Sequence, residues 1–421
     1  MEALVDLSSP SSRFVQEKFT EYYSKYSSDI QLPSSFEKRE FAFLLFRERI
    51  MLRHKGFKDI DDFRAFLNKV TPSDVYHSTA YYERPEAEMG EKGWLGADLV
   101  FDIDADHIPT PCAKGHDTWV CVNCGFAGKG TPPEKCPTCG EQKFDERTWP
   151  CEVCLASAKA ETMKLVDLLI KDFGFSHKEM RVFFSGHRGY HLHVETEEVR
   201  GLDQMARKEI VDYILGIGLD TRFHGLGEIG ARKSRILVGP SLSDLGWKGR
   251  VAKGSYDFLI TASQEELEKI GLKRKAAELV IKNKEMLLKS WEKTGPWGII
   301  KGIGAESWKK IAQQGIEKQS AKIDSVVTTD VHRLIRFANT LHGKTGLKKI
   351  EVSIAGIEHF DPFTSAIAFK KGFIKVLVSE APKFRLENEM YGPYKNQEVE
   401  LPTAAALLLL CKGLAGIPGE R

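Results

Sequence analysis

The chain has 421 residues, a formal net charge of +2 and an isoelectric point near 8.0. This length allows two or three domains, while the balanced charge excludes binding of a polyanion through the overall field of the protein, so local basic patches would have to bind it. The longest apolar run, Thr403 to Cys411, is too short to span a bilayer, and no apolar secretory signal stands at the N-terminus. We therefore expect a soluble, cytoplasmic protein.

The predicted elements begin with helices and then change to a strand. Up to about residue 70, the segments FVQEKFTEYYSKY and REFAFLLFRERI repeat apolar residues at three- and four-residue steps, which predicts helices. In the segment ADLVFDIDADH, the apolar residues Leu99, Phe101 and Ile103 then alternate with Asp102 and Asp104. Since successive side chains of a strand point to opposite faces, this alternation predicts a strand with one apolar face.

The two aspartates of this strand are candidate metal ligands. Asp102 and Asp104 are two residues apart and should emerge on the same face. Paired carboxylates hold Mg2+ or Mn2+, which keep coordination positions open for phosphate oxygens. An isolated pair of this kind is more often a strand end that meets solvent, so the interpretation depends on the residues that follow.

A cysteine-rich insert comes next. Seven of the eight cysteines lie between Cys112 and Cys154, and in a reducing compartment such crowding favours metal over disulfides. Two CxxCG pairs, at 121/124 and 136/139, have the spacing of a closed tetrahedral zinc site. Its four predicted ligands are Cys121, Cys124, Cys136 and Cys139.

A second zinc site is predicted from the remaining ligands of the insert. These ligands are Cys112, His116, Cys151 and Cys154. Because TWxCxxC occurs twice, at Thr118 and Thr148, the spacing also allows 112/116 to pair with 121/124, and 136/139 with 151/154. The role expected of both ions is to fold a small module that lacks a core, with nucleic-acid contact by its surface as the alternative.

Beyond the insert, the predicted elements are a helix from about Lys159 to near Gly174 and a strand, turn and strand in MRVFFSGHRGYHLHVE. From about Leu202 to Ala321 the sequence is helical and highly charged, which predicts an inserted subdomain. The glycine-rich stretch 224–254 receives no prediction. The chain then closes with a short strand and a Leu-rich tail.

The turn in SGHRGYH is a second candidate binding segment. Ser185, His187, Arg188 and His191 crowd this turn. Arg188 offers a planar fork that suits phosphate, His191 can donate to a phosphate oxygen, and backbone amides of the turn add donors. The alternative is a buried core histidine, with His193 on the same strand face, and a surface arginine.

A third segment, from Arg333 to Lys349, is rich in bases and contains no acid. It carries Arg336, His342, Lys344, Lys348 and Lys349 among turn glycines. A basic run is usually a solvated face, but a triphosphate site needs this mixture of cations, histidine and glycine. Upstream of it, Asp324 is a candidate third carboxylate and Asp330 is its competitor.

Taken together, these segments resemble the small, catalytic subunit of the archaeal and eukaryotic type DNA primase. Three motifs carry the resemblance in order: VFDID, SGHRGYH, and the stretch from Asp324 through RLIRFANTLHGKTGL, of which LHGKTGL is similar to archaeal members. Weaker matches are REFAF at Arg39 and AYYERP at Ala80. The resemblance spans nearly the whole chain, although the region from about 202 to 320 contributes little.

The resemblance implies roles for particular residues. Asp102, Asp104 and Asp324 would form a catalytic triad that binds two Mg2+ or Mn2+ ions. The nucleoside triphosphate would be bound by residues of the second and third motifs: Ser185, Arg188, His191, Arg336 and His342. Lys344, from the basic segment, is a further candidate for the same role. His187 carries less weight, because relatives often have another residue at this turn position.

The resemblance also bears on the cysteines. It favours the grouping of Cys112, His116, Cys151 and Cys154, since CLASAK after Cys154 is similar to the sequence of the family there. The zinc ribbon at about 119–149 is then an extra insertion.

We accordingly predict an α/β (α+β) fold with a mixed β-sheet catalytic core flanked by helices, a zinc-binding module and a helical inserted subdomain. The predicted catalytic core is 1–201 and 322–421. The zinc-binding module is 112–154, and a mainly helical subdomain occupies 202–321.

The predicted function is DNA primase activity in DNA replication, within the nucleoid. The enzyme would synthesise short primers de novo on single-stranded DNA by two-metal nucleotidyl transfer from nucleoside triphosphates, releasing pyrophosphate. Its expected partners are the template, the nucleotides and a large primase subunit in a heterodimer, and its structural cofactor is Zn2+, in two copies.

Three other functions compete with this prediction. A repair-type primase-polymerase of the same superfamily would use the same residues without needing a large subunit. A non-enzymatic zinc-ribbon nucleic-acid binder would explain the cysteines but leave DID, SGHRGYH and LHGKTG without a task. A metal-dependent phosphoesterase with His191 and His193 as ligands would hydrolyse nucleotides without a template.

Overall fold

The computed structural model describes residues 9–46, 50–110, 112–222, 224–230, 236–293 and 295–419. The chain divides into two compact units. Unit 1 comprises Met1–Thr162, His177–Lys208 and Ile323–Arg421, and unit 2 comprises Met163–Ser176 and Glu209–Lys322. Among the helices in these described ranges, none is long and apolar enough to cross a membrane.

The helices of the described residues are distributed along the whole chain. In chain order they are α1 (Pro10–Tyr26), α2 (Ile60–Val70), α3 (Ala113–His116), α4 (Glu152–Lys171), α5 (Glu197–Arg200), α6 (Gln204–Leu215), α7 (Gly246–Thr261), α8 (Gln264–Lys269), α9 (Arg274–Lys282), α10 (Lys284–Ser290), α11 (Ala305–Gln319), α12 (Ser325–Thr329), α13 (Pro362–Ser365) and α14 (Thr403–Cys411).

The strands are short, and most of them belong to unit 1. In chain order they are β1 (Phe41–Leu44), β2 (Met51–Lys55), β3 (Asp74–Ser78), β4 (Ala80–Tyr82), β5 (Trp94–Ala97), β6 (Leu99–Asp104), β7 (Thr118–Cys121), β8 (Ala127–Lys129), β9 (Phe144–Arg147), β10 (Met180–Phe184), β11 (Gly189–Val194), β12 (Gly227–Ile229), β13 (Ile236–Val238), β14 (Leu334–Arg336), β15 (Ile350–Val352), β16 (Phe373–Ala381), β17 (Phe384–Leu386), β18 (Glu389–Tyr391), β19 (Tyr394–Pro402) and β20 (Ala415–Gly416).

Unit 1 contains two four-stranded antiparallel sheets that hold the segments singled out above. The first has the strand order β14-β3-β1-β2, and the second has the order β15-β10-β11-β6. Smaller sheets are formed by β7 with β8 and β9, and by β16 with β19 and β20. Sheets flanked by helices confirm the predicted α/β (α+β) class.

An aromatic core fixes the third motif to the first sheet. Phe63 of α2 lies 5.3 Å from Phe41 of β1, and it stacks at 5.2 Å on Phe337, the residue after β14. All three side chains are fully buried. Because aromatic pairs at these distances contribute beyond their burial, this cluster holds β14 against β1 and α2.

Strand β1 corrects a sequence prediction. The segment REFAFLLFRERI was predicted to be helical, but it forms β1 and ends just before β2, and residues 47–49 lie outside the described residues. Phe41, Ala42 and Phe43 are all fully buried. A continuous apolar run that is buried on both faces has no two-residue period, so its pattern cannot be distinguished from that of a buried helix, and aromatic residues favour the strand.

Two other predicted elements differ in extent. The helix predicted from about Lys159 begins at Glu152, because Leu155 donates to the Cys151 carbonyl and the first turn carries Cys154. The C-terminal part holds a long hairpin, β16 with β19, where one short strand was predicted. Its charged residues hide the strand pattern, and Lys375 lies opposite Glu400, a favourable cross-strand pair.

Unit 2 is mainly helical. Its core packs four tryptophans, Trp247, Trp291, Trp297 and Trp308. Helices α7 and α11 cross closely at Gly254 and Gly315, where a Cβ on Gly254 would lie 2.7 Å from the Gly315 Cα. The stretch 224–254, which received no prediction, forms the hairpin of β12 and β13 and the start of α7, with residues 231–235 outside the described residues.

Candidate active site

The strand predicted around the paired aspartates is confirmed. Strand β6 buries Phe101 and Ile103 almost completely and leaves Asp102 and Asp104 partly exposed at its end. The two carboxylates therefore lie on the face of β6 opposite the apolar side chains.

The second motif lies directly beside these aspartates. Strand β11 pairs antiparallel with β6, which places His191 opposite Asp102 and Gly189 opposite Asp104. A Cβ at Gly189 would collide with the Ile103 carbonyl and would lie 2.9 Å from the Asp104 Cα. Only glycine allows this approach, so the residue between Arg188 and Tyr190 fixes the distance of the motif from the carboxylates.

Asp324 reaches the same place from a distant part of the chain. Its backbone N–H donates to the Asp102 carbonyl at 2.9 Å, and its Oδ1 accepts from the Val326 N–H at 2.8 Å as the N-cap of α12. We call Asp102, Asp104 and Asp324 the carboxylate cluster. The competitor Asp330 lies at the other end of α12, where its Oδ1 accepts from the His332 N–H.

The carboxylate cluster is electrostatically unfavourable without a cation. Burial, together with the charges of Asp104 and Asp324, raises the pKa of Asp102 to about 7 against the opposing cations Arg333 and Lys349. Burial also raises the pKa of Asp104, with Arg188 opposing. A divalent cation would relieve the repulsion that Asp104 and Asp324 exert on Asp102, and Mg2+ and Mn2+ prefer oxygen ligands.

The strand, turn and strand predicted for SGHRGYH are confirmed as β10, a turn and β11. The Ser185 Oγ accepts from the backbone N–H groups of His187 and Gly189, both at 3.3 Å. Ser185 therefore shapes the turn that precedes β11.

Arg188 is buried and paired with two carboxylates. Its NH1 donates to the Asp117 Oδ2 at 2.7 Å, and its NH2 forms an ion pair with Asp106. Its side chain is only 2% exposed. The guanidinium that was predicted to bind phosphate is therefore already held by acids of this chain.

The third motif places a histidine and an arginine near one acid, Asp74. Arg336 forms an ion pair with Asp74, whose Oδ1 also accepts from the Gly343 N–H at 3.0 Å. The His342 Nδ1 accepts from the Lys344 N–H at 3.1 Å, and burial holds the pKa of His342 well below its usual value. The neutral ring therefore carries its proton on Nε2, which makes that nitrogen the donor.

The second and third motifs meet at two histidine rings. His187 and His342 stack with centroids 5.1 Å apart. The His187 Nε2 lies 2.7 Å from the Nζ of Lys412, at the end of α14, and this Nζ also donates to the Thr148 carbonyl. Burial lowers the pKa of Lys412 to about 7, helped by the cations Lys344 and Arg188. Because neighbouring cations depress the pKa of Lys412, we infer a positive basin here that suits an anion.

His191 and His193 have different surroundings. The His191 Nε2 lies 3.7 Å from the Asp102 Oδ1, beside the carboxylate cluster. His193 is 3% exposed and packs against the rings of Phe183 and His77. Burial keeps the pKa of both histidines well below its usual value. His193 is thus a core residue, and His191 is a neutral donor beside the site.

The structure forms two groups of metal-ligand type from the cysteine-rich insert. In each group, the four ligand atoms all lie within 4.8 Å of one another. The base group is Cys112, His116, Cys151 and Cys154. The ribbon group is Cys121, Cys124, Cys136 and Cys139. The alternative pairing left open by the spacing is not the one that the structure forms.

The chemistry of both groups fits zinc. The base group brings the Cys112 sulfur to 3.5 Å from Cys151 and 3.4 Å from Cys154. In the ribbon group, the Cys121 and Cys139 sulfurs are 3.5 Å apart, and those of Cys124 and Cys136 are 3.6 Å apart. Three thiolates with one imidazole, or four thiolates, can hold a tetrahedral zinc ion with no open position.

Sequence reasoning missed four residues that line this region: Asp74, Asp106, Asp117 and Lys412. Asp106 and Asp117 lie inside or next to segments that were examined, but no local pattern marked them, because their ion pairs with the buried Arg188 form only in the fold. Lys412 had a weaker signal, a lone lysine directly after an apolar run.

Comparisons with known proteins identify the family of the chain. The family model of the DNA primase small subunit matches residues 143–354. The chain is 31% identical to the DNA primase small subunit PriS of Nitrosopumilus maritimus over 405 residues, which is 96% of this chain and 98% of the relative. It is 35% identical to that of Archaeoglobus fulgidus, over 95% of this chain and 97% of the relative. For the protein of Methanothrix thermoacetophila the identity is 33%, over 98% of this chain and 100% of the relative.

The chain therefore belongs to the DNA primase small subunit family. This confirms the resemblance found in the three motifs, and it makes the protein a nucleotidyltransferase of the primase type.

Proposed function

We propose that this chain is a primase catalytic subunit that starts primers de novo on single-stranded DNA, by transferring nucleotidyl groups from nucleoside triphosphates and releasing pyrophosphate. The observation that carries the proposal is the carboxylate cluster, in which the backbone of Asp324 is hydrogen-bonded to that of Asp102 beside the basic second and third motifs. Three acids next to a basin of cations match a reaction between a cation-bound hydroxyl and a triphosphate.

In the proposed mechanism, Asp102, Asp104 and Asp324 hold the catalytic cations. Bound Mg2+ or Mn2+ would supply activation of the attacking 3′-hydroxyl and charge stabilisation of the leaving pyrophosphate. The aspartates would fix the cations at the end of β6, where a divalent cation would offset the burial and like charges that raise the pKa of Asp102.

The triphosphate is assigned to the basin between the second and third motifs. His342 donates from Nε2, His191 donates beside Asp102, and Arg336 supplies a fixed positive charge. Ser185 sets the turn, and Lys344 adds a cation that depresses the pKa of Lys412. Charge-assisted donors in a recessed site hold phosphate oxygens in place and so orient the α-phosphate toward the cations. Arg188 can contribute its guanidinium only by exchanging one of its carboxylates for a phosphate.

The remaining parts of the proposal concern partners, structural metal and domains. The relatives are named small subunits, which supports a heterodimer of this chain with a large subunit. The base and ribbon groups are proposed to bind one zinc ion each and to fold the module 112–154. We keep the predicted catalytic core, 1–201 and 322–421, and the helical subdomain, 202–321, as part of this proposal.

A priming assay tests the proposal directly. Purified protein is incubated with a primer-free single-stranded template, labelled nucleotides, and Mg2+ or Mn2+, and we expect short template-dependent products. Extension only of supplied primers would favour the repair-type polymerase. Hydrolysis of nucleotides without a template would favour the phosphoesterase, and template binding without any product would favour the zinc-ribbon binder.

A further inference from the structure

One buried carboxylate, Asp117, joins the base group to the basin between the second and third motifs. The Asp117 Oδ1 accepts from the His116 Nδ1 at 2.7 Å, and its Oδ2 accepts from the Arg188 NH1 at 2.7 Å. The backbone N–H of Trp149 also donates to the Asp117 Oδ1, at 2.9 Å. The side chain of Asp117 is only 8% exposed. Asp117 is therefore fixed from three sides.

This geometry has a consequence for His116. Because Nδ1 donates to Asp117, the other ring nitrogen, Nε2, faces the sulfurs and lies 3.6 Å from that of Cys154. A carboxylate on the far nitrogen fixes the tautomer and orientation of a ligating histidine and strengthens its binding. Asp117 thus stands in the position of the outer carboxylate of a metal site, while its other oxygen holds Arg188.

Asp106 holds the same guanidinium in a different way. It lies just after the carboxylate cluster, where its backbone N–H donates to the Asp104 Oδ1 at 2.9 Å, and its side chain is 35% exposed. Two carboxylates on one guanidinium leave a net charge of −1, which disfavours a triphosphate. Of the two, only Asp106 is exposed enough to be exchanged for a phosphate group.

We propose that Asp117 is a positioning residue that links the base group to nucleotide binding by holding Arg188 in place, and that Asp106 occupies the place of a phosphate until the nucleotide binds. The inference rests on the proposed function, because it assigns Arg188 to the triphosphate. It adds that the two acids on this arginine have opposite effects on nucleotide affinity.

The physical reason lies in what each acid fixes. Asp117 keeps a long, buried side chain in one orientation, so the nucleotide does not have to order it. Removing the charge of Asp117 removes one competitor of the phosphates for Arg188. It also frees the Arg188 side chain from its anchor and loosens His116. Asp106 provides no anchor, since it competes for the donors that the phosphate needs.

Nucleotide affinity gives the first test. The full zinc-loaded chain is titrated calorimetrically with a nucleoside triphosphate and Mg2+, without template. For Asp117→Asn we expect Kd to rise about tenfold or more, the usual effect of losing an outer partner of a metal ligand. For the matched variant Asp106→Asn we expect Kd to fall by about two- to fivefold, the worth of a partly exposed ion pair.

Release of zinc to a colorimetric chelator gives a second readout that needs no activity. Two zinc sites should release their ions in two kinetic phases. The phase that is missing from Cys136→Ser belongs to the ribbon group, so the other phase reports release from the base group. We expect Asp117→Asn to speed the base phase about tenfold. Because coupling is reciprocal, nucleotide should slow the base phase of the unaltered chain but not that of Asp117→Asn or Arg188→Ala.

The outcomes separate this inference from the proposed function. If Asp117→Asn leaves both Kd and the base phase unchanged, or lowers Kd as Asp106→Asn does, Asp117 is no positioning residue. If the unaltered chain binds nucleotide and Arg188→Ala binds it equally well, the role of Arg188 and the link both fail, although the carboxylate cluster can still catalyse. Failure of the priming assay with an intact link would overturn the proposed function alone.

Discussion

The carboxylate cluster and the two cysteine groups differ in how far the chain satisfies their ligands. In the cluster, burial and the charges of Asp104 and Asp324 raise the pKa of Asp102 to about 7. In the cysteine groups, four ligand atoms close on one another within 4.8 Å. We infer from this difference that the first site would hold an exchangeable hard cation with open positions, and that each cysteine group would hold a closed zinc ion.

The two cysteine groups also differ from each other. Ligands of the base group come from both ends of the insert, and Arg188 is tied to His116 through Asp117. The ribbon group is confined to the insert, between the ends of β7 and β9. Loss of zinc from the base group should therefore disturb the rest of the fold, whereas loss of zinc from the ribbon group should disturb only the insert.

The largest effect expected is from Cys151→Ser. Loss of one ligand of the base group removes most of a zinc-binding free energy that is on the order of 10–16 kcal/mol for structural sites, so we expect an insoluble or unfolded chain. Cys136→Ser should lose its zinc and keep a cooperative thermal transition. The measurements are zinc content, expected to be two ions in the unaltered chain, and calorimetric unfolding. Equal unfolding of both variants would show that the two groups share one cooperative core.

Removing a carboxylate should abolish synthesis without touching zinc. Asp102→Ala, Asp104→Ala and Asp324→Ala each lose a cation ligand worth several kcal/mol in the transition state, or about a thousandfold in rate. The priming assay and zinc content are measured together, with Asp330→Ala as the matched control near α12. Near-normal synthesis by Asp104→Ala would contradict the mechanism, and an inactive Asp330→Ala beside an active Asp324→Ala would mean that the third acid is wrong.

Substitutions in the basin should weaken nucleotide binding and leave template affinity unchanged. Arg336→Ala and His342→Ala each lose a contact to a charged group worth about 1.5–3 kcal/mol, or roughly 10- to 150-fold in Kd. Nucleotide affinity is measured by calorimetry and template affinity by fluorescence anisotropy, with Lys375→Ala, an exposed charge on β16, as the control. Equal losses for nucleotide and template would place these residues on the nucleic-acid surface.

The smallest effect concerns stability against pH in the absence of divalent metal. Asp102 has a pKa of about 7 in the folded chain against an ordinary 3.8, so the folded state binds more protons between these values. The free energy of unfolding contributed by this group therefore falls as pH rises from about 4 to 7 and stays level above.

Asp104→Asn tests that slope. Removing one like charge should lower the pKa of Asp102, flatten the slope and raise stability at pH 8 by about 1–2 kcal/mol, at roughly 1.4 kcal/mol per pKa unit. Urea unfolding is measured from pH 5 to 8 in magnesium-free buffer without chelator, which preserves zinc. If the free energy of unfolding of Asp104→Asn falls with pH as steeply as that of the unaltered chain, the acids do not repel one another.

Much of this arrangement could be predicted from the sequence because its signals are local. The alternation around Asp102 and Asp104 predicted β6, and the glycines of SGHRGYH predicted a turn between two strands. The roles proposed for individual site residues stay predictions until the variants are measured. Strand β1 was missed because its residues are buried on both faces, which removes the two-residue period that marks a strand.

Contacts between distant residues left no such signal. Lys412 lies 225 residues from His187 in sequence, and Arg188 lies 71 residues from Asp117. Nothing in the local pattern around Asp117 distinguishes a buried anchor from an exposed acid that follows a short helix. Its role depends on which side chains the fold brings to both of its oxygens, and only the tertiary structure gives that information.

The hydrogen bond from the Asp324 N–H to the Asp102 carbonyl also orders events during translation. Every ligand of the base and ribbon groups lies before residue 155, so both groups can be complete before much of the chain has been synthesised. The third acid emerges only later, and it must find a strand end made long before. A nascent or truncated chain can therefore bring the ligands of both cysteine groups together without bringing Asp324 to Asp102, so we expect premature termination to yield a fragment that lacks the complete carboxylate cluster.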